Sequence, residues 1–211
     1  MSGSYDAVES GLVSSLAKPG ANITGLTVPR EVASKQLELL RECIAPLSRA
    51  AILIRRDSLT AAKLVEAKAL VQAFLQLTLE FFEVGAPEEL APALANLKAW
   101  RPGAMLLGPD PLFFQQRDQI IEFARSAKIP AMYPVADFVE VGGLMSYGVG
   151  MLEVSRIVTR HVDKILKGAK PGDIPVEEPS TYDLTINLGT ARALGLKVAQ
   201  SFLLRAGRVI E

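Results

Sequence analysis

After residue 48 the chain alternates short apolar runs with longer amphipathic ones, and this alternation limits the possible folds more than any other feature. Residues 50–54 form a short strand-like run, and 60–77 follow with Leu64, Ala67, Val71, Phe74 and Leu75 at helical spacing behind Thr60 as a cap. Residues 78–84 alternate as a strand. Pro87 opens a helix over 88–100 with Leu90, Leu94 and Leu97 on one face, a position where proline is well tolerated. Pro92 marks an irregular start to that helix. Residues 103–108 are continuously apolar, as in a strand buried on both faces. Residues 111–128 read as a helix and 130–134 enclose a strand. Then come a strand over 143–148 and a helix over 151–167 with Val154, Val158, Val162 and Ile165 as its apolar stripe. A strand over 181–187 and a short helix over 190–194, begun by Thr190, complete the pattern. Strand–helix units of this length predict an α/β fold with a parallel sheet covered by helices.

Composition narrows the function classes. The chain has 211 residues, 49% hydrophobic and 22% charged, with a net charge of zero. That is enough apolar material for a real core, and no basic patch or tail argues for nucleic acid or an anionic membrane as a partner. One cysteine, Cys43, and one histidine, His161, leave no disulfide and no cysteine-based metal site to expect. We expect no cofactor. No run approaches the ~20 apolar residues that span a bilayer, so direct membrane insertion is not expected. The opening Met1-Ser-Gly-Ser-Tyr-Asp lacks the pattern of a signal peptide.

Open parallel sheets hold ligands outside the carboxyl ends of their strands. That rule selects Arg56, Asp57 and Ser58 in a first loop, Asp110 between two prolines in a second, and Tyr133 through Asp137 in a third. Tyr147 is a fourth position. The plainer reading of each is that acidic residues and prolines end strands and cap helices.

A run of segments carries a family resemblance. Lys18-Pro-Gly-Ala-Asn-Ile-Thr-Gly-Leu26 resembles a signature of ABC-importer substrate-binding proteins, in the group that takes up aromatic amino acids. Ser34-Lys-Gln-Leu-Glu-Leu-Leu-Arg-Glu is similar to the helix that carries the family's chain from the first lobe to the second. Gly108-Pro-Asp-Pro-Leu-Phe-Phe, Phe138-Val-Glu-Val-Gly-Gly-Leu-Met-Ser-Tyr-Gly and Leu184-Thr-Ile-Asn-Leu-Gly follow in family order. The resemblance implies a type I periplasmic-binding-protein-like fold: a three-layer α/β/α arrangement with one complete lobe, residues 48–147, plus a partial second lobe. Residues 1–47 and 148–211 would supply that remnant of the N-terminal lobe.

Functionally, the resemblance implies the solute-binding component of an ABC-type uptake system, not an enzyme, with an amino-acid-like small molecule as ligand and an ABC permease as partner. Asp57, Asp110 or Asp137 can pair with an ammonium, Ser58 or Ser146 can bond a carboxylate, and Tyr133 or Tyr147 can stack on an apolar side chain. The sequence departs from the family in the first loop, where two arginines, Arg55 and Arg56, change the charge at the mouth. A periplasmic location is implied by the family, and a cytoplasmic one if residue 1 is the true start. Because most of the first lobe is absent from the segments matched, uncovered apolar faces predict a homodimer or higher oligomer. Other readings stay open: a ligand-sensing regulatory module, a non-binding oligomeric remnant, and, with no motif behind it, a small α/β enzyme. His161 is read as a surface or packed histidine and Cys43 as a core residue.

Overall fold

The computed structural model describes residues 2–5, 7–8, 10–29, 31–56, 68–69, 72–73 and 75–211. The chain divides into two compact units, one of residues 1–33 with 148–183 and one of residues 34–147 with 184–211.

The larger unit is built on a seven-stranded sheet. Its strands are β3 (Arg49–Arg55), β4 (Thr78–Val84), β5 (Ala104–Leu107), β6 (Ala131–Tyr133), β7 (Met145–Gly148), β8 (Asp183–Asn187) and β9 (Arg208–Ile210). They lie in the order β4-β3-β5-β6-β7-β8-β9. From β4 through β7 every neighbouring pair runs parallel, with Ile52 opposite Phe81 and Leu106, and Tyr133 opposite Ser146. The fold is α/β with a mostly parallel sheet and flanking helices.

Period-two alternation divides the strand side chains between two cores. Ala50, Ile52 and Ile54 of β3 and Leu106 of β5 face one, with Leu37, Leu39 and Leu40 of α1 (Glu31–Cys43) and Phe202 of the short helix Gln200–Leu203. Ala51, Leu53, Met105 and Leu107 face the other. That second layer is closed by α2 (Leu90–Trp100) through Leu90, Leu94 and Leu97, and by α4 (Arg117–Ser126) through Ile120 and Ile121. These strands are apolar on consecutive residues because both of their faces are covered. Each leucine taken fully out of water contributes about 1.5–3 kcal/mol.

Local signals explain the boundaries. A single 3-10 turn, Pro87–Glu89, precedes α2, so Pro92 falls in the first α-turn, where its missing N–H removes no helical bond. The helix expected over 111–128 is two helices, α3 (Pro111–Gln115) and α4, divided at Gln116 (φ −99°, ψ 17°). The short helix α7 (Leu188–Ala193) is capped one turn earlier than expected: Asn187 accepts from the Thr190 N–H at 2.9 Å, so Thr190 lies inside the helix. Of the helix expected over 60–77, residues 68–69, 72–73 and 75 are helical, and residues 57–67, 70, 71 and 74 lie outside the described residues.

The smaller unit holds the parallel pair β1 (Ser2–Tyr5) and β2 (Leu26–Val28), against which α6 (Met151–Leu166) packs. Its own core is small, with Ala7, Val13 and Val176 joined by Leu16 and Ile23. Thr24 donates to the Ile174 carbonyl at 2.8 Å, and Leu26 bridges Glu177, which ties the loop after α6 to β2. The face that α6 buries is not the expected one. Ile157 (2% exposed) and His161 (3%) point inward, while Val162 and Ile165 are 47% and 38% exposed. The His161 ring is packed, with Nδ1 2.8 Å from the Ile157 carbonyl and Nε2 3.0 Å from that of Pro175.

Candidate functional site

The parallel run β4-β3-β5-β6-β7 brings the carboxyl ends of its strands to one edge of the larger unit. Arg56 follows β3, Asp110 follows β5, Asp137 follows β6, and Tyr147 is the next-to-last residue of β7. At about 4.8 Å per strand, the distance from β3 to β7 is roughly 15 Å. Asp57 and Ser58 belong to the same first loop in sequence and lie outside the described residues.

Each rim residue has a distinct setting. Arg56 reaches across to Glu89 in the 3-10 turn after β4, its Nη1 donating to Oε1 at 3.2 Å and its Nη2 closing the second arm on Oε2. Glu89 also accepts from the Gly85 N–H at 2.8 Å. That backbone bond, and then the arginine, hold the Glu89 carboxyl below the usual carboxylate range. Gly85 permits the pairing: a Cβ there would stand 2.5 Å from Arg56 Nη1. Asp110 caps α3, accepting from the Leu112 N–H at 2.8 Å ahead of Pro111 in the first turn. Asp137 sits half-buried in the first turn of α5 (Ala136–Glu140).

The two tyrosines differ. Tyr147 is half-buried, packs against the α1-side core, and its carbonyl accepts from Gln36 Nε2 at 2.6 Å. Tyr133 is 1% exposed and stacks on Phe138, ring centroids 5.1 Å apart and 13° from parallel. Burial pushes its phenol well above the ordinary value. A Cβ on Gly143 would come within 2.7 Å of both that ring and the Phe138 carbonyl oxygen, so the turn before β7 has room only for glycine. The structure therefore sets Arg56, Asp110, Asp137 and Tyr147 along the rim, with Tyr133 packed beneath it. Ser146, the other hydroxyl expected to bond a ligand carboxylate, is 1% exposed in the sheet.

Sequence reasoning did not single out Glu89 or Gln36. Glu89 lies 33 residues from Arg56 and meets it only because β4 is β3's neighbour. Gln36, 3% exposed, stands among the leucines of α1, and a lone amide in an apolar helix face was the available signal.

A separate cavity of about 210 Å³ lies between α4, α7 and the sheet, lined by Ile121, Arg125, Lys128, Tyr133, Leu144 and Thr190. Lys128 precedes β6 and Leu144 precedes β7, so part of its lining comes from the amino ends of those strands. Among the described residues, no group of histidine, cysteine, aspartate and glutamate could hold a metal ion, and no helix is long and apolar enough to cross a membrane.

The sequence pattern of ABC transporter substrate binding proteins matches residues 1–210. The chain belongs to that family. Among its relatives is a tyrosine-binding protein of Clostridioides difficile, 26% identical over 194 residues, which are 91% of this chain and 55% of that protein. The chain thus spans about half the length of this curated relative. A crystal structure of an ABC domain from Streptococcus pneumonia in complex with L-Trp is similar over 98% of this chain and 69% of that one, at 28% identity and a TM-score of 0.87. A conserved domain protein of Vibrio cholerae shares the fold at a TM-score of 0.86 and 24% identity, over 97% of this chain and 68% of that one. This member of the substrate-binding family therefore has relatives that bind tyrosine and tryptophan, and its fold is of the periplasmic-binding-protein kind.

Proposed function

We propose that this chain is the solute-binding component of an ABC uptake system, working outside the inner membrane with a permease partner, and that it binds an amino-acid-like ligand at the carboxyl rim of its larger sheet. The observation that carries this reading is the line of Arg56, Asp110, Asp137 and Tyr147 along one edge of parallel strands, where open α/β sheets bind small molecules. Relatives described as binding tyrosine and tryptophan support the ligand class.

The roles follow from the settings. Asp137 is the carboxylate for the ligand's ammonium, since one oxygen of Asp110 is already held by the Leu112 N–H. The half-buried Tyr147 is the residue that would stack on an apolar or aromatic side chain of the ligand. Arg56 frames the mouth, its guanidinium held in place by Glu89. Homodimer formation belongs to the same proposal.

The test is calorimetric titration of the chain with tyrosine, tryptophan, phenylalanine and branched amino acids. A charge-assisted hydrogen bond is worth about 1.5–3 kcal/mol, so Asp137→Asn should weaken binding by about 10- to 150-fold. Binding that is unchanged in Asp137→Asn and Tyr147→Ala would place the ligand elsewhere.

A further inference from the structure

None of the four rim residues lines the cavity between α4, α7 and the sheet. Its walls are mostly apolar, with Ile121, Ile129, Leu144 and Leu194 among them. Arg125 and Lys128 line it, and no aspartate or glutamate does. Both cations are exposed, which sets them where the cavity meets solvent. Tyr133, 1% exposed, stands deeper in. Among the described residues nothing bonds its hydroxyl, and protein does not seal that oxygen in, so it faces the cavity that the ring lines. A buried hydroxyl without a partner carries a desolvation cost that a bound acceptor removes. Burial holds the phenol well above its ordinary value, so it stays a donor at neutral pH. The other hydroxyl on the wall, that of Thr190, already donates to the Gly142 carbonyl at 2.9 Å.

We propose that this cavity is a second binding site, taking a small monocarboxylate with an aromatic or branched apolar body and no α-ammonium. Size sets the body. A dry cavity of about 150 Å³ holds benzene, and this one, at about 210 Å³, has room for a ring and a carboxylate. Charge sets the head. The carboxylate accepts from the Tyr133 hydroxyl in the field of Arg125 and Lys128. A zwitterionic amino acid would bring its ammonium to a lining with no anion. Arg125 now donates Nε and Nη2 to Glu122 Oε2 at 3.0 and 2.6 Å, an exposed pair that yields readily and leaves Nη1 for the ligand. Lys128 has no ion-pair partner among the described residues. Its φ of 54° lies in the left-handed region where glycine usually ends a helix. The Ile129 N–H closes that turn on the Ala124 carbonyl at 2.9 Å, so the turn draws nothing from the lysine side chain.

The experiment is isothermal titration of the full chain with phenylacetate, and with phenylacetamide as its uncharged counterpart. Phenylacetate should bind, and phenylacetamide about tenfold more weakly or not at all. Tyr133→Phe removes only the unpartnered oxygen, so Tm should not fall while the Kd for phenylacetate rises about tenfold. Lys128→Gly suits the backbone, so Tm should again not fall while that Kd rises about threefold, as loss of an exposed charge implies. The cavity and the rim are read apart, because tyrosine titration of Lys128→Gly should match wild type. No binding at millimolar phenylacetate overturns the proposal. So does equal binding of phenylacetamide, or phenylacetate binding indifferent to both substitutions. Binding that is lost in Tyr147→Ala and kept in Tyr133→Phe would put the molecule at the rim and overturn it as well.

Discussion

Arg56 and Glu89 are joined by a two-armed ion pair across the ends of adjacent parallel strands, with Glu89 also receiving the Gly85 N–H. The pair closes the turn after β4 onto the end of β3 and fixes a guanidinium at the rim where the ligand is proposed to sit. Both side chains are substantially exposed, so the interaction orders the loop more than it stabilises the fold.

The pH dependence of that pair has a defined sign. Glu89 is held below its ordinary 4.5 in the folded chain, so its contribution is present above that value and is lost as pH falls through the lowered one. Comparing Glu89→Gln with wild type by thermal unfolding should show a small difference at pH 7 that closes below pH 4.5. A gap that widens with acid would contradict the assignment.

Asp110→Ala removes the cap of α3 and should cost about 1 kcal/mol, measured by urea unfolding, while Asp110→Asn should cost a few tenths. An equal loss in both variants would show that the charge matters more than the cap.

Cys43 should be a slow thiol. Burial, and then the neighbouring Glu42, push it from 9.0 up to about 11. Reaction with a disulfide reagent at pH 8 should therefore lag well behind that of the unfolded chain. The linkage also has a sign: the unfolded chain loses the proton first, so stability present below pH 9 declines from pH 9 to 11. Cys43→Ala should flatten that decline.

Gln36→Leu deletes the amide that donates to the Tyr147 carbonyl, and should destabilise the chain by about 1 kcal/mol in chemical denaturation. It should weaken ligand binding as well, because Tyr147 leaves the sheet next to the rim.

How much of this could be read in advance varied with the kind of signal. Buried strands showed themselves as apolar runs, and the strand at Thr78–Val84 lay where alternation put it. The short strands β1, β2 and β9 carry too few residues for a period to show. The stripe of α6 misled because its apolar residues fall on two neighbouring faces, and spacing cannot say which one the smaller unit buries. Here it buries Ile157 and His161. Rim positions were legible from strand ends, but the Arg56–Glu89 pair depends on sheet order, and Tyr133's inward ring on the glycine at 143.

The most direct test of the central claim is isothermal titration of the purified chain with tyrosine and tryptophan, repeated with Asp137→Asn. One-to-one binding per chain of at least one of the two is expected, weakened at least tenfold by the substitution. No heat with either amino acid from a folded chain, or heat untouched by Asp137→Asn, would contradict it.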